Sequence, residues 1–210
     1  MKTHSTIDTL RFGTPLASAK AAVILLHGRG SSPEDIAGLA RVLPEEGIAY
    51  FAPAAETGAW YPQRFFVPLG LNEPWLSDAL NVISGLVAEA QTGGLESTQI
   101  GIAGFSQGGC LALEYAIRHP QRYGFIGGLS GALIGPLETA RKQVDLKATP
   151  LLVACAENDA HIPLPYVEQS ARILGECRAE VTKQIFPGSA HTVFPDEIAW
   201  LTKQYRSLTG

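Results

Sequence analysis

Residues Gly104-Phe105-Ser106-Gln107-Gly108 form a G-x-S-x-G pentapeptide. Three fixed letters in five are a weak signal by themselves, and the flanking sequence strengthens it. A small-residue apolar run, TQIGIAGFS (98–106), leads in, and a helix-patterned run, GGCLALEYAIRHP (108–120), leads out. This predicts a strained strand-to-helix turn that raises a serine hydroxyl out of a sheet. A Cβ two residues to either side of Ser106 would crowd such a turn, which accounts for Gly104 and Gly108. A helix beginning at Gln107 also points main-chain N–H groups and its positive end at an oxyanion forming beside Ser106. The bland alternative is an ordinary strand–turn–helix with a capping serine.

A serine hydroxyl is a poor nucleophile until a base takes its proton, and that base must be oriented by a carboxylate. On a turn of this kind the chain order is serine, acid, histidine. Three histidines lie downstream of Ser106. His119 ends the helix that leaves the turn, a position that favours a cation and lies far from the tip. His161 is two residues from the best acid and shares its loop. His191, in PGSAHTVF, follows a strand and is the preferred base. For the acid, LLVACAENDAHIP offers Glu157 and Asp159 at a strand end, and Asp159 is preferred because it falls on the turn proper. Asp145 and Asp196 suit solvated positions beside helices. Separations of 53 residues from Ser106 to Asp159 and 32 from there to His191 each leave room for a strand–helix excursion.

A second oxyanion donor is expected from the loop after the first buried strand, where His27-Gly28-Arg29-Gly30 stands. The Arg29 N–H is the natural companion to that of Gln107. The Arg29 side chain either faces solvent or offers a handle to an acidic substrate. His27, ahead of the glycines, is expected to brace the loop.

These residues need elements to hold them, and the chain supplies an alternation of strands and helices. Strand-like runs occupy 21–28, 48–54, 98–106, 123–131, 150–159 and 181–188. Helical periods occupy 34–47, 72–90, 108–120, 164–177 and 194–208. Repeated βα units predict an α/β fold with a mostly parallel sheet covered by helices on both faces. Neither an internal repeat nor a polar linker divides the chain, so residues 1–210 are expected to form one domain. Residues 53–71 break the rhythm: PAAETGAWYPQRFFVPLGL is long, aromatic and proline-punctuated. A loop of that length is usually functional or disordered, and its aromatic content argues against disorder. Trp60, Tyr61 and Phe65 are expected either to wall an apolar substrate pocket or to plug the sheet, with Leu133, Ile134, Ile162 and Val193 as neighbours.

The chain has 210 residues, 46% hydrophobic and 17% charged, with a formal charge of −4. That balance argues against a nucleic-acid binder, which needs a basic face. Cys110, Cys155 and Cys177 form an odd set without CxxC spacing, as expected of buried reduced thiols. The opening MKTHSTIDTL lacks the apolar core of a secretory signal, and no run nears the ~18 apolar residues of a membrane span. A cytoplasmic location is expected.

In LLHGRG (25–30), GFSQGG (104–109), DAHIP (159–163) and AHT (190–192), the sequence resembles the phospholipase/carboxylesterase branch of the α/β-hydrolases, which includes acyl-protein thioesterases. WYP (60–62) and NEPW (72–75) are similar to a bacterial subgroup of esterases. The resemblance implies an α/β-hydrolase fold without a separate cap domain and a serine esterase with Ser106, Asp159 and His191 as its triad. Dienelactone hydrolases share the fold but usually carry cysteine at the nucleophile position. The HG loop here is more basic than in typical acyl-protein thioesterases and the chain is shorter, which turns the expectation away from protein-bound palmitate.

The expected reaction is two-step acyl transfer on small to medium carboxylic esters, with an acyl thioesterase or lysophospholipase as the alternative. A non-catalytic binding protein on the same fold would require a broken triad, and none of the three positions is broken. No HxxEH, HExxH or clustered Cys/His set calls for a metal, and no cofactor is expected. The expected partner is a small-molecule ester or thioester, without nucleic acid or membrane span; a homodimer is kept open.

Overall fold

The computed structural model describes His4, residues 8–43 and residues 46–210. Residues 44–45, near the end of the first expected helix, and most of the opening decapeptide lie outside the described residues. Seven strands run along the chain: β1 (Thr9–Gly13), β2 (Ala21–Leu26), β3 (Ile48–Pro53), β4 (Ile100–Phe105), β5 (Phe125–Leu129), β6 (Pro150–Ala156) and β7 (Glu180–Phe186). They form one sheet in the order β1-β3-β2-β4-β5-β6-β7. All neighbours pair in parallel except β1, which runs antiparallel to β3.

The interior strands read as apolar runs because both of their faces are covered. In β2 the pleat sends Ala22, Ile24 and Leu26 into one layer and Val23 and Leu25 into the other. The first layer is packed by α2 (Trp75–Thr92), α3 (Gln107–Arg118) and α4 (Leu164–Glu176). The second is packed by α1 (Pro33–Ala37) and α5 (Pro195–Thr209). Each large apolar side chain so buried contributes about 1.5–3 kcal/mol. A sheet packed on both faces therefore leaves the connecting loops free to serve function. Cys110, Cys155 and Cys177 are all buried and free.

Three elements differ from the sequence expectation. Strand β1 was not anticipated: TLRFG is a half-exposed edge strand with too short an apolar pattern to register. The first expected helix is cut to five residues and continues as a 3-10 turn over Gly38–Val42. Its start follows the chemistry at Ser32, whose Oγ accepts the Asp35 N–H while the Asp35 carboxylate accepts the Ser32 N–H. Helix α2 begins at Trp75, after a 3-10 turn over Leu69–Asn72.

The topology sets up the site. Leu26, Phe105, Ala156 and Phe186 end parallel strands β2, β4, β6 and β7 on the same edge of the sheet. The HG loop, Ser106, Asp159 and His191 each follow one of these ends, at the edge where open parallel sheets place their ligands.

Candidate active site

Ser106 joins β4 to α3 with φ 54° and ψ −115°, a left-handed backbone that few residues other than glycine adopt. The turn is held by the Ser106 N–H donating to Leu129 O at 2.9 Å and by the Cys110 N–H donating to Ser106 O at 2.9 Å. Packing around it leaves no room for side chains. A Cβ on Gly104 would come within 2.3 Å of the Gly108 main chain, and one on Gly108 within 2.1 Å of Leu26 O.

Three expected residues meet here. Ser106 Oγ lies 2.8 Å from His191 Nε2, and His191 Nδ1 lies 2.7 Å from Asp159 Oδ2. The Asp159 side chain is fully buried, while His191 keeps 19% exposure. With a carboxylate at Nδ1, that nitrogen carries the proton, leaving Nε2 to accept from Ser106. The other Asp159 oxygen accepts the N–H of His161 at 2.7 Å and of Ile162 at 3.1 Å. The acid is thus fixed by its own turn before it orients the histidine. The ring of Phe105 packs on His191 at 4.9 Å.

The competing candidates lie elsewhere. The His161 ring sits beside that of His191, 4.6 Å between centroids, and its bond to Asp159 is made by the main-chain N–H. Glu157 is exposed, with its N–H donating to Phe186 O. Asp145 pairs with Arg178 at the surface, and Asp196 opens α5. His119 stacks on Tyr115 at the end of α3. Burial pushes its pKa down, against the cation that the end of a helix favours.

The HG loop lies against the turn: a Cβ on Gly28 would touch the Phe105 ring at 3.3 Å and Ser106 Cβ at 3.6 Å. Its main chain, including Arg29, is therefore next to the serine. His27 braces this loop. Its Nε2 accepts the Ala55 N–H at 3.0 Å while Nδ1 donates to Gly28 O at 2.7 Å, an arrangement that requires the neutral ring. Burial pushes its pKa down accordingly.

Two side chains spend their polar groups on residues 60–63. The Gln107 carbonyl oxygen accepts the Trp60 N–H at 2.9 Å and its amide donates to Tyr61 O at 2.8 Å. The Arg29 guanidinium donates to Tyr61 O, Pro62 O and Gln63 O at 2.7, 3.1 and 2.6 Å. Neither solvent nor substrate is its first partner; it ties the aromatic segment to the HG loop.

Above Ser106 opens a cavity of about 260 Å³, the scale of a small ligand. Tyr61, Phe65 and Ile162 line it together with Ser106, Gln107 and His161. Trp60 is not in the lining. It is fully buried beneath the segment, its indole N–H donating to His27 O at 2.9 Å. Leu133 and Ile134 are buried in the core under the neighbouring loop, where Leu133 N–H is bound by Ser170. Val193 packs on the opposite layer of the sheet with Phe194.

Two positioning groups went unnoticed in the sequence. Fully buried Asn72 accepts the Gln63 N–H at 2.8 Å and donates to Arg64 O at 3.1 Å. Fully buried Glu197 accepts the N–H of Ser130 at 3.2 Å and of Phe194 at 2.7 Å, while Ser130 Oγ donates to Thr192 O at 3.0 Å. Glu197 thereby joins the end of β5 to the loop that carries His191. Burial raises its carboxyl from the usual 4.5 to about 7. Among the described residues no group of His, Cys, Asp and Glu could hold a metal ion, and no helix is long and apolar enough to cross a membrane.

A mostly parallel, helix-covered sheet with a serine on a strained turn at its carboxyl edge defines an α/β-hydrolase, here without a separate cap among the described residues. Residues 13–207 match the Phospholipase/Carboxylesterase family, and the chain belongs to it. It is accordingly a serine hydrolase of the carboxylic ester hydrolase class. A crystal structure of a phospholipase/carboxylesterase from Dyadobacter fermentans is 39% identical and superposes with a TM-score of 0.92, covering 98% of this chain and 99% of that one. Acyl-protein thioesterase 1 of Saccharomyces cerevisiae is 26% identical over 91% of this chain and 94% of its own length. The carboxylesterase of Bacillus cereus, 16% identical over 95% of this chain and 93% of that one, shares the fold at a TM-score of 0.71.

Proposed function

We propose that the protein hydrolyses small to medium carboxylic esters through an acyl-enzyme on Ser106. The observation that carries this reading is the unbroken relay from Ser106 Oγ through His191 to Asp159 at 2.8 and 2.7 Å. His191 Nε2 takes the hydroxyl proton as Ser106 attacks the ester carbonyl. The negative oxygen that forms is held by the main-chain N–H groups of Arg29 and Gln107. Asp159 keeps the imidazole in the productive tautomer and stabilises the imidazolium. The imidazolium returns the proton to the departing alcohol, and a water then repeats the sequence on the acyl-enzyme, releasing the acid and free Ser106.

Cleavage of thioesters by the same machinery is the second reading, favoured by the similarity to the yeast acyl-protein thioesterase. The cavity of about 260 Å³ favours short acyl groups over a long lipid chain.

A fluorophosphonate probe tests the nucleophile: the wild type is labelled and Ser106→Ala is not. Equal labelling of the two would overturn the mechanism. Matched oxyesters, thioesters and lysophospholipids then rank the leaving groups by kcat/KM.

A further inference from the structure

The mouth of the cavity carries positive charge that acyl transfer does not require. Its lining includes Arg29 and Arg64 but neither an aspartate nor a glutamate. This is set against a chain whose formal charge is −4. A cleft lined by one sign of charge focuses its field and concentrates ligands of the opposite sign, even on a molecule of net like charge.

The two guanidiniums differ in what they already hold. Arg29 is engaged by three main-chain carbonyls. Arg64 is exposed, lies 5.5 Å over the Phe66 ring, and makes no ion pair or hydrogen bond through its side chain among the described residues. Its five N–H donors are available.

The backbone that presents Arg64 is fixed. On one side the Gln63 N–H is bound by Asn72, which also holds the Arg64 carbonyl. On the other, Phe65 O accepts the Gly135 N–H at 2.7 Å. Burying an amide is costly unless both of its polar ends are bonded, and Asn72 uses both, on the main-chain N–H of Gln63 and the carbonyl of Arg64. A charged side chain on a held backbone loses less freedom when it binds.

Resting on the esterase reading above, we propose that Arg64 determines specificity by binding an oxyanion of the substrate. The preferred esters then carry a carboxylate or phosphate on the part that lies in this cavity. A planar guanidinium with five donors suits either group, through paired N–H···O bonds.

Two p-nitrophenyl esters of equal acyl length, the neutral pentanoate and the anionic hemiglutarate, test the idea on the intact protein. A glycerol phosphate ester of the same acyl length, followed by acid release, distinguishes phosphate from carboxylate. The expected anionic-to-neutral ratio of kcat/KM exceeds one in the wild type and shrinks in 0.5 M salt. Arg64→Gln lowers the ratio about tenfold, mainly through KM, Arg64→Lys restores part of it, and Arg64→Glu drives it below one. An equal change on both kinds of ester, or no change on either, overturns the proposal. Neutral-ester hydrolysis that depends on Ser106 while the ratio ignores residue 64 would sink this inference alone. Absence of hydrolysis on every ester would sink the esterase reading with it.

Discussion

Gly108 and Leu26 approach so closely that a Cβ on the glycine would stand 2.1 Å from the Leu26 carbonyl oxygen. The contact brings the start of α3 against the end of β2, and so sets the distance between Ser106 and the HG loop. Backbone on both sides cannot yield as a flexible side chain would. Gly108→Ala is expected to give insoluble protein, or a folded one whose ester kcat/KM falls at least 100-fold. Wild-type activity in a soluble Gly108→Ala variant would show that the turn is not built to this tolerance.

Asp159 divides its two oxygens between separate tasks, one facing His191 and one facing its own turn. Asp159→Asn keeps an oxygen for the turn but turns an N–H₂ toward His191, forcing the proton onto Nε2. The variant is expected to melt within a few degrees of wild type while kcat falls about 10⁴-fold, the loss typical of a wrong tautomer. A Tm drop matching the loss of activity would instead make Asp159 a structural residue.

Removing the Gln107 side chain leaves Trp60 N–H and Tyr61 O, both in buried surroundings, without those partners. Tyr61 O keeps the bond from Arg29, so Trp60 N–H is the group left unsatisfied, and Gln107→Ala is expected to lower stability by about 1–3 kcal/mol. The Gln107 main-chain N–H survives, so KM is expected to rise more than kcat falls. Urea unfolding and steady-state kinetics check the two halves.

Trp60 and Phe65 sit five positions apart in different roles. Trp60 is fully buried and outside the cavity lining, whereas Phe65 lines the cavity. Trp60→Ala is expected to cost about 3–5 kcal/mol in stability without shifting the preferred chain length among p-nitrophenyl esters. Phe65→Ala is expected to shift the preference toward longer acyl groups.

Glu197 makes stability depend on pH in an unusual direction. Its carboxyl titrates near 7 in the fold and near 4.5 when exposed, so between these values the native state binds more protons than the unfolded chain. Stability therefore declines as pH rises from about 4.5 to about 7, by about 3 kcal/mol from this group, and levels off above. Glu197→Gln is expected to flatten that slope. Unfolding curves at pH 5, 6, 7 and 8 for both proteins check it, and equal slopes would refute it.

The five strands β2 to β6 were legible because a strand buried on both faces must be continuously apolar, whatever packs on it. Strand β7, EVTKQIF, is a partly exposed edge strand and was legible from its place in the strand–helix alternation. Ser106 was legible for a similar reason: the glycines at 104 and 108 record a backbone crowding that is local in sequence. Asp159 and His191 could be selected because serine, acid and histidine follow in that chain order and because parallel strands send the loops after their carboxyl ends to one edge of the sheet. The edge strand β1 was not legible, since half of its surface faces solvent and leaves no pattern to read.

What the amino-acid order determined by itself is thus the set of elements and the short-range turns, whose causes are periodicity and steric crowding within a few residues. Only the tertiary structure decided that Trp60 lies under the cavity wall, that Arg29 and Gln107 hold residues 60–63, and that Asn72 and Glu197 are buried positioning groups. A polar side chain has many possible partners of equal chemistry. Which one it meets depends on the path of a loop whose course is set by packing against distant parts of the chain.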